Sequence, residues 1–206
     1  MLKARFVVPE ITDNNQKDIK KKPFINLSAK ELQYFAGHYW NEASSYARKI
    51  YVKNDTLRYY RSETNESALV PISTHEFKMI NVGADVLVKF DGNQKGKHKM
   101  SFIANGGKPT ISHEFQPKAY TGKELVGFVG VYYSKELDVN YTLKLEDKSL
   151  MLYINDSKTS PVKSIMANLF SNDDYGTFQF TTDNYGNVSF FKLAAGRVKN
   201  LKFEKK

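Results

Sequence analysis

The side chains best suited to binding a ligand are Trp40, Arg48, Tyr59, Tyr60 and Arg61. Aromatic rings and guanidinium groups present flat faces on which a base, a sugar or a peptide can stack. The structural alternative is that strands favour aromatic residues in any case, so that Tyr59 packs inward, Tyr60 covers the outer sheet and the arginines face water. These five residues form the candidate ligand-binding set.

A serine-hydrolase motif is also present in outline. Ser160-Pro161-Val162-Lys163 matches Ser-x-x-Lys, and Tyr185-Gly186-Asn187 matches Tyr-x-Asn. In that chemistry the serine opens a buried helix, and the lysine one turn later assists removal of the hydroxyl proton. Pro161 lies in a strand-like stretch, the two motifs are too close together, and no Lys-Thr-Gly follows. We therefore predict no catalytic residues and no enzyme activity.

The residues that could bind a metal ion are not spaced in the sequence as metal ligands usually are. The chain has no cysteine, and its histidines have no partner at i+2 or i+4, which predicts surface positions at strand ends for His38, His75, His98 and His113. Asp173-Asp174 and Asp183-x-x-x-Asn187 lack the regular spacing of a calcium loop, and the turn preferences of Asp and Asn favour hairpin turns instead. We predict no metal site and no cofactor.

The elements that carry these residues occur twice. Residues 30–40 recur as 123–133 with the shared pattern KELxxFxGxY, and the match continues without a gap into the following apolar positions. A repeat of this length indicates one structural unit used twice, which favours binding or bracing over catalysis. We divide the chain into a tail or linker (1–27), a first repeat (28–117) and a second repeat (118–206).

Each repeat has the signals of a short helix followed by strands. Ser28 with Glu31, and Thr121 with Glu124, have capping-box spacing. About eight short alternating segments follow in each repeat, separated by turns such as Asn105-Gly106-Gly107. Such short connections join antiparallel neighbours, so we predict an all-β fold of two up-and-down meanders, each closed as a barrel.

Alternation along the strands assigns the inner face. In the first repeat it places Ile50, Leu57, Tyr59 and Phe77 inside, and in the second repeat it places residues such as Leu143, Leu152, Phe180 and Phe190 inside. An eight-stranded barrel can be filled by its own side chains or can hold one small ligand. The sequence leaves both possibilities open.

Charge and hydropathy limit the partners. The formal net charge is +9, but residues 1–27 and 197–206 together supply seven of these charges, so the excess lies in the ends. Residues 9–23 are polar and bracketed by proline, as in a linker. A nucleic-acid partner needs a basic stripe interleaved with aromatic residues, and we do not expect one. No apolar run is long enough for a membrane span, and MLKARFVVPE is too short for a signal-peptide core.

The order of elements in the first repeat resembles that of a known family. It consists of a short helix, the pattern Leu32-x-x-Phe35-x-Gly37-x-Tyr39 and then eight short strands. Residues 28–206 look like the lipocalin-like C-terminal region attached to bacterial serine β-lactamase-like hydrolases, relatives of the penicillin-binding proteins. The resemblance includes Leu69-x-Pro71 and Phe77 midway along the first repeat, and residues 47–59 are similar to the second and third strands of that family. The second repeat departs from the pattern, because Val162-Lys163-Ser164 stands where the first has Leu69-Val70-Pro71.

The resemblance implies a non-catalytic accessory barrel that docks on a serine hydrolase domain or gates its cleft. It also implies a periplasmic or cell-envelope location, reached through a larger precursor. The alternative is a free-standing lipocalin-like carrier of a small apolar or aromatic ligand.

Overall fold

The computed structural model describes residues 23–92 and 97–206, so all but the last residue of the expected linker 9–23 lies outside the described part. The described chain forms two closed eight-stranded antiparallel barrels in tandem. The all-β prediction of two up-and-down barrels, each opened by a short helix, is confirmed.

The first barrel is preceded by one short helix. Its elements are α1 (Ala29–Gln33), β1 (Gly37–Asn41), β2 (Tyr46–Lys53), β3 (Thr56–Ser62), β4 (Asn65–Pro71), β5 (Glu76–Met79), β6 (Val86–Gly92), β7 (His98–Ala104) and β8 (Thr110–Phe115). Consecutive strands pair antiparallel, and pairing of β1 with β8, from His38 opposite Phe115 to Trp40 opposite His113, closes the sheet. Closure removes the free sheet edges that would otherwise invite aggregation.

The second barrel repeats this order. Its elements are α2 (Gly122–Leu125), which continues into a 3-10 turn (Val126–Phe128), β9 (Gly130–Ser134), β10 (Val139–Glu146), β11 (Ser149–Ile154), β12 (Ser157–Met166), β13 (Leu169–Asn172), β14 (Gly176–Thr182), β15 (Val188–Ala195) and β16 (Val198–Lys205). Pairing of β9 with β16 closes this sheet.

The predicted capping boxes start both helices. The Ser28 side chain accepts from the Glu31 amide while the Glu31 carboxylate accepts from the Ser28 amide at 2.7 Å, and Thr121 and Glu124 make the same reciprocal pair. Two backbone donors at each helix start are thereby satisfied. The helix then directs Phe35 in the first barrel, and Phe128 in the second, into the barrel end, where both are buried.

A buried tyrosine fixes each helix to the barrel wall. The Tyr39 hydroxyl donates to the carbonyl oxygen of Phe35 at 2.8 Å, and the Tyr132 hydroxyl donates to that of Phe128 at 2.8 Å. Both tyrosine side chains are completely buried. The same bond at equivalent positions shows that the two repeats share one way of plugging the barrel end.

These tyrosines should make the protein sensitive to alkali. Burial raises the pKa of Tyr39 and of Tyr132, so the folded state holds their protons more tightly than the unfolded state does. The stabilisation is complete below the unfolded value near pH 10 and falls above it, by about 1.4 kcal/mol per pH unit for each tyrosine. Chemical denaturation between pH 8 and pH 11 would measure this loss.

The double variant Tyr39→Phe and Tyr132→Phe is the comparison for that experiment. Each substitution should cost about 1–3 kcal/mol at pH 8, because a buried carbonyl oxygen loses its donor. The slope above pH 10 should be smaller than in the wild type. An unchanged slope would show that these two hydroxyl groups do not control alkaline unfolding.

The two barrels have separate interiors filled with side chains. The first core is built around residues such as Tyr39, Phe77, Phe90 and Met100. The second is more aromatic, and the Phe191 and Phe203 rings stack there with centroids 4.8 Å apart. Most positions assigned to the inner face by alternation are buried, including Leu57, Tyr59 and Phe77 in the first repeat, and Leu143, Leu152 and Phe180 in the second.

The inner-face prediction is wrong at Phe190, and Leu145, also assigned to the inner face, is 36% exposed. Phe190 was expected inside, but Phe191 is the buried residue and Phe190 lies on the outer face beneath the Lys202 ammonium group, 4.7 Å from its ring centroid. The cause is a shift in the β14–β15 register, where Thr181 pairs with Phe190 but Thr182 pairs with Val188. The extra residue of this bulge moves the following side chains to the opposite face.

Candidate functional site

Three of the five candidate ligand-binding residues meet at the end of the first barrel that lies away from α1. Tyr59 and Arg61 alternate with outward residues along β3, and Arg48 has the same inward position on β2. Continuing the β2–β3 register by one step from the pair Lys49 and Tyr60 places Arg48 opposite Arg61. We call the surroundings of these three side chains the barrel mouth.

The other two candidates lie on the outer face of the sheet. The Trp40 indole N–H donates to Glu42 at 2.7 Å. The Tyr60 ring packs edge-on against Tyr51, with centroids 6.3 Å apart. The structure therefore separates Trp40 and Tyr60 from the mouth residues.

Arg61 is held across the mouth by neutral groups. Its Nη1 donates to the Asn65 side-chain oxygen at 3.2 Å and to the Ser67 hydroxyl at 3.0 Å, and its Nη2 lies 3.3 Å from the sulfur of Met79. Its guanidinium carbon is 4.6 Å from the centroid of the Tyr59 ring. These contacts fix the orientation of the guanidinium plane but do not neutralise its charge.

The Arg48 guanidinium group has fewer hydrogen-bond partners than that of Arg61. Its guanidinium carbon lies 3.9 Å from the centroid of the Tyr46 ring, and its Nη1 donates to the carbonyl oxygen of Ala47 at 2.7 Å. Its Nε is buried and has no hydrogen-bond partner within the described residues. A buried donor without an acceptor costs free energy unless something else occupies the place of the acceptor.

The electrostatic surroundings of Tyr59 confirm that both arginines are close to it. Burial raises the pKa of the Tyr59 hydroxyl, and the positive charges of Arg48 and Arg61 lower it in part. The hydroxyl therefore stays protonated at neutral pH and can donate a hydrogen bond into the mouth.

Three of the acids near this end of the barrel bind other groups. Glu66 faces outward and binds Lys53 and the Tyr51 hydroxyl, and Asp85 pairs with Lys78. Glu42 accepts from the indole of Trp40. Across residues 23–92 and 97–206, no carboxylate forms an ion pair with Arg48 or Arg61.

The second barrel has no such charges at the equivalent end. The repeat places Tyr141, Leu152 and Ile154 where the first barrel has Arg48, Tyr59 and Arg61. Tyr141 is buried there, with its ring centroid 4.4 Å from that of Phe203, and Ile154 packs against the same core. The same fold can thus seal this end with apolar side chains.

A groove lies outside the first barrel at its helix end. It has a volume of about 460 Å³ and is open to solvent, and its lining residues are Leu27, Lys30, Glu31, Tyr34, Phe35, Thr74 and His75. In the second barrel Tyr120 stands at the position of Leu27, and its ring stacks on Phe170 with centroids 5.2 Å apart. The smaller Leu27 leaves room that the Tyr120 ring takes up in the second repeat.

The residues of the Ser-x-x-Lys match and of the acidic segments make ordinary strand and turn contacts. Ser160 and Lys163 lie on strand β12, where the Ser160 hydroxyl donates to Asp174 at 2.7 Å and Lys163 pairs with Asp173 at 3.2 Å. Asp183 accepts from the Tyr185 and Asn187 amides, as expected in a hairpin turn. The first two contacts join β12 to the turn after β13, and the last two lie within a turn.

The surface prediction for histidine is wrong at His98. This residue is 7% exposed, and its ring packs against Tyr34 with centroids 4.4 Å apart. It faces the helix end of the barrel because alternation along β7 places it on the same side as Met100. In the described part of the chain, no three His, Asp or Glu side chains are grouped so as to hold a metal ion.

Sequence reasoning missed the neutral part of the mouth. Tyr46, Asn65 and Ser67 share the inward parity of Arg48 and Arg61 on adjacent strands, so strand alternation together with strand pairing was the signal that could have found them.

The chain matches no protein-family model, and no curated protein matches it significantly. Within residues 23–92 and 97–206, no helix has both the length and the apolar character needed to cross a membrane.

Proposed function

We propose that the chain is a non-catalytic accessory module that docks on a serine β-lactamase-like hydrolase and limits access to its cleft. The observation that carries this proposal is that side chains of the chain itself fill both barrel interiors. A filled barrel offers its outer surface and its ends to a partner, and rigid ends suit a docking role. The resemblance of residues 28–206 to regions attached to such hydrolases supplies the class of partner, and with it a cell-envelope location.

An association experiment tests this function. The purified chain is mixed with serine β-lactamase-like hydrolases encoded near it, and binding is measured by calorimetry together with the rate of hydrolysis of a chromogenic ester or β-lactam. We expect saturable binding and a change in rate with one of them. A serine hydrolase of unrelated fold is the control, and absence of both binding and rate change with every candidate would contradict the proposal.

The groove beside α1 favours a second candidate function, that of a carrier of a small aromatic ligand. Its volume of about 460 Å³ lies within the roughly 300–1,000 Å³ typical of ligand pockets, and Tyr34 and Phe35 contribute aromatic surface to it. Mass spectrometry of the natively purified chain would detect a retained molecule. Leu27→Tyr should fill the groove as Tyr120 does in the second barrel, and retention of the same molecule by this variant would place the ligand elsewhere.

A further inference from the structure

We propose that the mouth of the first barrel is a binding site for a carboxylate, held between the guanidinium groups of Arg48 and Arg61. Nothing in the proposed docking function requires this site. The occupant is defined by its chemistry, and the carboxylate can belong to a free organic acid or to an acidic side chain of a partner.

The first argument is the unbalanced charge. The extended β2–β3 register places Arg48 opposite Arg61, and the charges of both act on the Tyr59 hydroxyl, so the two like charges repel each other. Both are partly buried, and within the described residues neither has a carboxylate partner. Removing charges from water without pairing them destabilises the fold. An anion between the two guanidinium groups would replace this repulsion with attraction to both of them.

The second argument is the unused hydrogen-bonding capacity. The Arg48 Nε is buried without an acceptor, a feature shared by the Nε of the outward-facing Arg58, while Arg48 Nη1 donates to the carbonyl oxygen of Ala47. A guanidinium presents parallel N–H groups that match the two oxygens of a carboxylate. The Tyr59 hydroxyl is protonated at neutral pH and adds a further donor nearby.

The lining of the mouth selects among anions. The guanidinium groups lie over the rings of Tyr46 and Tyr59, Phe102 packs 5.7 Å from Tyr59, and the Met79 sulfur contacts Arg61. An apolar lining suits a carboxylate with a short apolar body, whereas a phosphate would lose strong hydration there. We therefore assign the site to carboxylates.

The second barrel shows that the arginines are dispensable for the fold. Its equivalent positions hold Tyr141 and Ile154, and that barrel closes with the same strand order. A pair of charged residues that the architecture does not need, and that electrostatics disfavours, is best explained by a ligand.

The experiment titrates the purified full chain with acetate, with benzoate and with inorganic phosphate at constant ionic strength. Binding is followed by the NMR shift of the Arg48 and Arg61 Nε–H signals and by calorimetry. An acetylated and amidated Gly-Glu-Gly tripeptide, whose only charge is a side-chain carboxylate, distinguishes the two sources. Binding of benzoate alone indicates a free acid, and binding of the tripeptide indicates a partner side chain; either result supports the site.

The matched variants are Arg48→Met and Arg61→Met, with Lys49→Met as the control, because Lys49 is an exposed cation on the outer face of β2 next to Arg48. We expect each mouth variant to weaken carboxylate binding about tenfold or more, and the control to leave it unchanged. Without ligand, the mouth variants should melt no lower than the wild type, because an unpaired charge is removed. This separates loss of binding from loss of folding.

Any one of three binding results would overturn the proposal. They are no saturable carboxylate binding by the wild type, equal weakening by all three substitutions, and tighter binding of phosphate than of either carboxylate. A mouth variant that melts well below the wild type would also overturn it, since that would make the arginines structural.

Discussion

Replacing Gly176 with alanine is expected to unfold the second barrel and leave the first one folded. Gly176 has a φ of +91°, which an L-residue rarely adopts. A Cβ atom there would overlap the carbonyl oxygen of Ala194 and lie 3.0 Å from the Cα of Ala195, and both atoms are backbone atoms of the paired strand β15. The neighbouring strand can move away only if its pairing with β14 is disrupted.

Gly186→Ala is the matched control for this substitution. Its φ of +84° imposes the same backbone strain, but no atom lies within 4 Å of the added Cβ. We expect Gly186→Ala to cost about 1–2 kcal/mol and Gly176→Ala more than about 4 kcal/mol. Urea denaturation followed by NMR signals from each barrel would resolve the two transitions. Equal losses for the two variants would show that the overlap with β15 relaxes at little cost.

The sequence was sufficient to predict the architecture because local signals agreed with one another. The capping pairs at Ser28 and Thr121 marked both helix starts, and Asn and Asp residues marked the turns. Asn54 and Asp55, for example, both have positive φ between β2 and β3, a conformation that these residue types tolerate. The repeat then required that any assignment made for one unit also fit the other.

The bulge in β15 could not be predicted in the same way. Alternation assumes a constant two-residue period, and one extra residue reverses every later assignment on that strand. Phe190 and Phe191 are identical in type, so composition cannot say which of them is buried. Only the register against β14 decides it.

The barrel mouth was predicted in part. Alternation gave Tyr59 inside and Tyr60 outside, as the structure has them. Alternation alone does not give the cross-strand neighbour of Arg48, which is set by the β2–β3 register and so by the two-residue turn at Asn54 and Asp55. The groove beside α1 was missed because the cause is the size of one residue, Leu27, relative to Tyr120 in the other repeat.

Truncating Phe191 should destabilise the second barrel strongly. The ring is completely buried and lies at the centre of an aromatic cluster, with centroid distances of 4.8 Å to Phe203, 5.0 Å to Tyr132 and 5.1 Å to Phe178. Phe191→Ala removes these contacts and leaves a cavity, which costs about 3–5 kcal/mol. The first barrel has a separate core and should unfold as in the wild type.

Phe190→Ala is a control that differs only in the face on which the ring lies. The Phe190 ring is on the outer surface beneath Lys202, so its loss should cost less than about 1 kcal/mol. Denaturant unfolding of the two variants, monitored by signals from the second barrel, measures the difference. A larger loss for Phe190→Ala than for Phe191→Ala would mean that β15 keeps a regular two-residue period in solution. The register shift opposite Thr181 and Thr182 would then be absent, and the inward assignment by simple alternation would be the right one.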